Sequence, residues 1–131
     1  MNAGWMGFVW VGLGGAFGSM VRYGVGRLAG WWIPGASSML GTGLVNFFGS
    51  FMLGVVVSVC TVSGKPNAWG LLLGVGFCGG LTTFSTLAME LADLLHAKRH
   101  WEMIGLGLGS LILGIGAFGA GLWLAGRSLA A

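Results

Sequence analysis

The residues able to do chemistry in this chain are hydroxyls, one carboxamide and a glycine pair, all set within apolar runs. Thr42, Asn46 and Ser50 recur every four residues, a spacing that places them on one face of a helix. Asn46 brings an amide with two donor hydrogens and an acceptor oxygen. Farther on stands Gly79-Gly80-Leu81-Thr82-Thr83-Phe84-Ser85-Thr86, with four hydroxyls in five residues just after two glycines. Ser110 is alone among Leu, Ile and Gly. A polar group in hydrocarbon costs free energy unless it is paired or lines a cavity. Two adjacent glycines weaken a helix by about 1 kcal/mol each relative to Ala. A break there would free backbone carbonyls, which broken intramembrane helices use to hold cations. The plainer reading of the hydroxyls is that they bond back to carbonyls four residues earlier and bend their helices. Polar faces on three separate apolar runs favour a permeation path.

The elements that must position these groups are membrane spans. Only 7% of the 131 residues are charged, against roughly 25% in a soluble domain. Hydrophobic residues make up 56% and the mean hydropathy is +0.90, so a soluble enzyme and a disordered chain are both excluded. Gly is 28 of 131, but two prolines and no G-X-Y period exclude collagen. The charges Arg22, Arg27, Lys65, Glu90, Asp93, Lys98, Arg99, Glu102 and Arg127 leave four uncharged stretches: Met1–Val21, Leu28–Gly64, Pro66–Met89 and Met103–Gly126. Each reaches the ~20 residues that cross a hydrocarbon core. The second opens with Trp31-Trp32-Ile33-Pro34-Gly35, which reads as interfacial aromatics and a turn, so its crossing spans roughly Met39–Thr61. The fold class is an all-α membrane protein with four transmembrane helices, one domain over 1–131, and a third helix broken near Gly79–Thr83.

Other features narrow the function. The first basic residue follows the first apolar run, the reverse of a signal peptide. Cys60 and Cys78 fall in apolar stretches without C-x-x-C spacing and read as buried thiols. His96 and His100, beside Lys98-Arg99, read as a solvated loop, and Glu90 and Asp93 as a solvated helix end. Six basic residues form no stripe for nucleic acid. With four crossings, one side holds Lys65 and Arg127, and the other holds Arg27, Lys98 and Arg99 with Arg22 near a helix end. So small a bias admits insertion in both orientations. Small residues four apart recur at Gly14/Gly18, Gly26/Gly30, Ser50/Gly54, Gly70/Gly74, Gly76/Gly80, Gly105/Gly109 and Ser110/Gly114, and such rows let helix backbones approach closely.

Three segments resemble one family. Gly14-Gly15-Ala16-Phe17-Gly18-Ser19-Met20-Val21-Arg22-Tyr23 is similar to its first-span signature. Gly41-Thr42-Gly43-Leu44-Val45-Asn46-Phe47-Phe48-Gly49-Ser50 resembles its G-T-x-x-V-N-x-x-G-S. Gly76-Phe77-Cys78-Gly79-Gly80-Leu81-Thr82-Thr83-Phe84-Ser85-Thr86 resembles its G-F-x-G-G-x-T-T-F-S-T. These are motifs of the Fluc (CrcB-type) fluoride ion channels, and the resemblance covers almost the whole chain. It implies an antiparallel, dual-topology homodimer in the plasma (inner) membrane, with two pores that export cytoplasmic fluoride passively and confer fluoride resistance. Its partners would be fluoride, a second copy and membrane lipid. Asn46 matches the Asn that turns its amide toward the ion, Phe84 the first of two Phe whose ring edges face fluoride, and Ser110 a fourth-span hydroxyl. Thr42, Thr83 and Thr86 join them on the pore. Arg22 matches a first-span Arg near a vestibule. Gly79 and Thr82 match positions whose carbonyls hold a structural Na⁺ at the dimer interface.

Two positions depart from the family pattern. Leu87 stands where a second Phe is usual, and a leucine has no positive ring edge. Gly114 stands where the family has a further hydroxyl one turn beyond Ser110. The physical chemistry suits fluoride, because stripping its water demands donors, while a fixed cation in the narrow path would bind it too well to release it. A small dual-topology multidrug transporter is the alternative, and it needs an intramembrane carboxylate, which the first span lacks. A non-conducting assembly would leave the polar faces unexplained. An enzyme is not expected, since no base or nucleophile has a partner in sequence.

Overall fold

The computed structural model describes residues 3–32, 37–62 and 68–130. In chain order they form α1 (Ala3–Trp32), α2 (Ser37–Val62), a π-helix (Gly70–Cys78), α3 (Gly79–Leu81), α4 (Phe84–His96) and α5 (His100–Ala130). Four helical stretches are long and apolar enough to cross a membrane: Gly4–Trp32, Ser38–Thr61, Gly70–His96 and His100–Leu129. The chain is a multi-pass membrane protein.

The spans do not stop where the charges suggested. The first runs past Val21, through Arg22 and Arg27, to Trp32. Nothing in 22–32 breaks a helix, and Arg22 finds a partner inside the protein, so neither arginine marks a loop. Trp31 and Trp32 end α1, while 33–36, with the expected Pro34-Gly35 turn, lie outside the described residues, as does Lys65. The second crossing falls where the aromatic turn implied. The third is interrupted after the glycine pair: Thr82 (φ −81°, ψ 152°) and Thr83 (φ −149°, ψ 115°) are extended. Its first half was not legible in the sequence, because Gly70–Cys78 winds as a π-helix, wider than an α-helix and rare at nine residues.

Two seams hold the spans together, and both depend on absent side chains. α1 lies along the π-helix and α3. A Cβ on Gly14 would overlap the Leu72 carbonyl oxygen, one on Gly18 that of Phe77, and one on Gly80 that of Gly15. α2 runs beside α5 in the same direction, and there Gly54 meets the Phe118 carbonyl as Gly121 meets that of Phe51. Backbone packed on backbone supplies the dispersion contact that drives association in lipid. Elsewhere the chain is thinly covered. Leu108, Leu111, Ile112 and Ile115 on α5 are exposed, as suits a face against lipid or another apolar surface.

α4 and α5 are joined by a tight turn. Lys98 takes φ 58°, and the amides of Lys98 and Arg99 donate to the carbonyls of Leu95 and Leu94, the paired bonds that close a helix end. Arg99 then donates from Nε to Glu102 Oε1 at 2.6 Å. His96 and His100 are exposed beside this turn, whereas Cys78 is buried and Cys60 half-buried.

Candidate functional site

A helix break inside a membrane strands backbone groups, and each must find a partner. Asn46 on α2 takes two of them. Its Oδ1 accepts from the Thr83 amide at 2.7 Å and its Nδ2 donates to the Thr83 carbonyl at 3.1 Å. Arg22 on α1 donates from Nε to the Gly80 carbonyl at 3.0 Å, and Ser19 Oγ lies 3.5 Å from the same oxygen. Thr83 also caps α4: its Oγ1 accepts from the Thr86 amide at 3.2 Å and contacts the Ser85 and Thr86 hydroxyls at 3.1 and 3.0 Å. Thr82 turns back, with amide and hydroxyl both donating to the Cys78 carbonyl. The hydroxyl-rich stretch therefore does two things. Thr82 bonds to i−4, and Thr83 builds the start of a new helix.

The predicted residues separate into three neighbourhoods. Arg22, Thr42, Thr83 and Thr86 meet in one cavity of about 300 Å³, together with Tyr23, Arg27 and Ser38. Two guanidinium groups, those of Arg22 and Arg27, give this cavity an anion-attracting character. Asn46 and Ser110 meet in a second, largely apolar groove of about 410 Å³ between α2 and α5. One of the two Asn46 donor hydrogens is left over from the Thr83 pairing. Gly79 and Thr82 meet in a third groove, beside Cys78. The Phe84 ring projects outward with 79% of its surface exposed, and Leu87 is half-buried on the next turn of α4.

The reading of Glu90 is overturned as well. Glu90 is not at a solvated helix end: it is 3% exposed. Its Oε1 accepts from Ser38 Oγ at 2.6 Å and Thr42 Oγ1 at 2.7 Å, and its Oε2 is buried without a partner among the described residues. The cause lies in register. Glu90 and Leu94, four apart, form the buried stripe of α4, while Asp93 falls on the exposed side. That spacing was in the sequence, as was the match between Ser38, Thr42 and Asn46 at intervals of four. The Thr42 hydroxyl is consequently committed to a carboxyl group rather than open to the vestibule. The Arg22 bond to Gly80 was not legible, because the partner carbonyl exists only once the third span breaks.

The CrcB family profile, described as "CrcB-like protein, Camphor Resistance (CrcB)", matches residues 9–122. A protein of Gloeobacter violaceus called fluoride-specific ion channel FluC is 43% identical over 121 residues, covering 92% of this chain and 96% of the relative. Fluoride-specific ion channel FluC 1 of Leifsonia xyli subsp. xyli is 42% identical over 91 residues, covering 70% of this chain and 66% of the relative. Fluoride-specific ion channel FluC of Gloeothece citriformis is 40% identical over 119 residues, covering 88% and 93%. With a profile match across the crossings and the pinned break, the chain belongs to the CrcB family.

Proposed function

We propose that this chain conducts fluoride passively across the plasma membrane, out of the cytoplasm. The observation that carries the reading is the 43% identity to a fluoride-specific ion channel along nearly the full length of both chains. The site chemistry supports it. The arginines of the vestibule attract an anion, and the groove beyond offers neutral donors from Asn46 and Ser110. Among the described residues, no Lys or Arg lines that groove, so an ion that enters is not held by a fixed cation there.

The working form is proposed to be an antiparallel dual-topology homodimer with two pores. Its support is the near balance of charge between the two ends of the helices, the exposed face of α5, and the outward Phe84 ring, which a second copy would bring to a pore. A structural Na⁺ is proposed at Gly79 and Thr82. The donor set fits such an ion: the Thr83 amide, the usual partner of the Gly79 carbonyl, goes to Asn46, and backbone oxygen suits a hard cation. When bound, it would add fixed positive charge near both paths. Fluoride efflux from liposomes holding the purified protein, with chloride as control, tests the function. Rapid fluoride loss with little chloride loss is expected, and no fluoride loss from folded protein would sink the reading.

Glu90 gives the transporter alternative the buried carboxyl that the first span lacks. A proton-coupled exchanger would move its substrate against a gradient when a pH difference is imposed. The channel reading requires fluoride to run down its own gradient whatever the imposed pH difference.

A further inference from the structure

We infer that Ser50 is a donor on the anion path, presenting its hydroxyl from α2 toward the side-chain position left empty by Gly114 on α5; the inference rests on the fluoride-channel reading. Asn46 and Ser50 are one turn apart on α2, and Ser110 and Gly114 are one turn apart on α5. Because α2 and α5 run in the same direction, the two pairs face each other as rungs, about 6 Å apart along the axis. The lower rung is Asn46 with Ser110, across the groove. At the upper rung, a Cβ on Gly114 would have the Ser50 Oγ at 3.7 Å as its only neighbour within 4 Å among the described residues outside its own helix backbone. The hydroxyl of Ser50 therefore points at the space that a side chain at 114 would fill.

Two further observations bear on it. Neither Ser50 nor Ser110 makes a hydrogen bond to any partner among the described residues. This sets them apart from Thr61, Thr82 and Ser128, whose hydroxyls bond back to the carbonyl four residues earlier. An unsatisfied hydroxyl beside an apolar groove is free to donate to an ion or to its water. One turn above Ser50, the helices close on each other, with Gly54 against the Phe118 carbonyl. Ser50 is thus the last polar side chain between α2 and α5 before the seam shuts. An ion passed from Asn46 and Ser110 reaches its hydroxyl there.

The test is a hydroxyl transplant, read as fluoride efflux from liposomes, with oligomeric state checked by size-exclusion chromatography. Ser50→Ala should slow efflux roughly tenfold or more, the rate equivalent of one charge-assisted hydrogen bond. Adding Gly114→Ser to Ser50→Ala should restore most of the rate, since the new hydroxyl enters the same space from the facing helix. Wild-type efflux from Ser50→Ala would overturn the inference and leave the channel reading intact. Slow efflux that Gly114→Ser does not restore would also overturn it, because Ser50 would then act through packing. If Ser50→Ala does not fold, Ser50→Cys keeps the volume with a weaker donor and should show the same slowing and the same rescue. A wild-type protein that releases no fluoride would fell the channel reading and this inference together.

Discussion

The seam between α1 and the third span and the groove between α2 and α5 use the same residue for opposite ends. At Gly14, Gly18 and Gly80 the missing side chain lets one backbone touch another. At Gly109 nothing lies within 4 Å of where a Cβ would be, and at Gly114 only a hydroxyl does. Glycine makes contact in the first region and makes room in the second. The small-residue rows alone could not separate the two, because spacing records what a position lacks and not what faces it. The seam holds the broken third span in place; the groove is the space in which we propose that the ion moves.

The largest expected effect comes from filling the seam. Gly18→Ala puts a methyl into the Phe77 carbonyl oxygen, and neither partner is a side chain that could swing away. Overpacking of this kind costs about 1–3 kcal/mol, and here the strain falls on the element that carries the break. Thermal unfolding in detergent should show a clear loss of stability. A variant as stable as the parent would mean that α1 and the π-helix are not in backbone contact.

The next largest effect is on conduction. Asn46→Asp keeps an oxygen for the Thr83 amide but removes the hydrogen given to the Thr83 carbonyl, and it sets a carboxylate beside the groove. Leaving the Thr83 carbonyl without its donor costs about 1–3 kcal/mol, a loss the protein should survive folded, while the carboxylate should abolish fluoride efflux by repelling the anion. Normal efflux would take Asn46 off the path and leave it as a clasp for the break alone. The two variants therefore separate the regions: one loses stability first, the other loses transport first.

Much of this was legible beforehand, and the reasons for the rest are physical. Four crossings follow from charge spacing because a bilayer tolerates few charges, and the break follows from Gly79-Gly80 beside clustered hydroxyls. Asn46 was identified as a polar residue in a span, but its two-handed hold on Thr83 depends on where α2 lies against the third span. Spacing alone puts Arg22 at a helix end because an arginine normally marks the membrane edge; the stranded Gly80 carbonyl gives it a reason to sit within α1. Glu90 departs from expectation for a related cause. A carboxyl near a span's end is usually solvated, and only the packing of α4 on α2 brings Ser38 and Thr42 to it. The π-helix left no pattern in the sequence, since its apolar residues would serve an α-helix equally well.

A milder change probes α4, one turn beyond the exposed Phe84 ring. Leu87→Phe returns an aromatic ring to the turn after Phe84, and a ring edge is a weak donor to an anion. Efflux should equal or exceed that of the parent, with chloride still excluded. A block would mean that the half-buried site of Leu87 lacks the volume for the ring.

The smallest effect sharpens the contrast most, because it repeats the seam substitution in the groove. Gly109→Ala adds one methyl where the structure holds nothing within 4 Å. Alanine is favoured over glycine inside a helix by about 1 kcal/mol, so stability should hold or rise slightly, opposite in sign to Gly18→Ala. Gly109 lines the groove with Asn46 and Ser110, so whatever the methyl does should appear as a modest slowing of efflux. Thermal unfolding and liposome efflux on the same preparation read both. A loss of stability as large as that of Gly18→Ala would show that Gly109 is covered by close-packed atoms in the assembled protein, and its glycine would then be a contact residue like those of the seam.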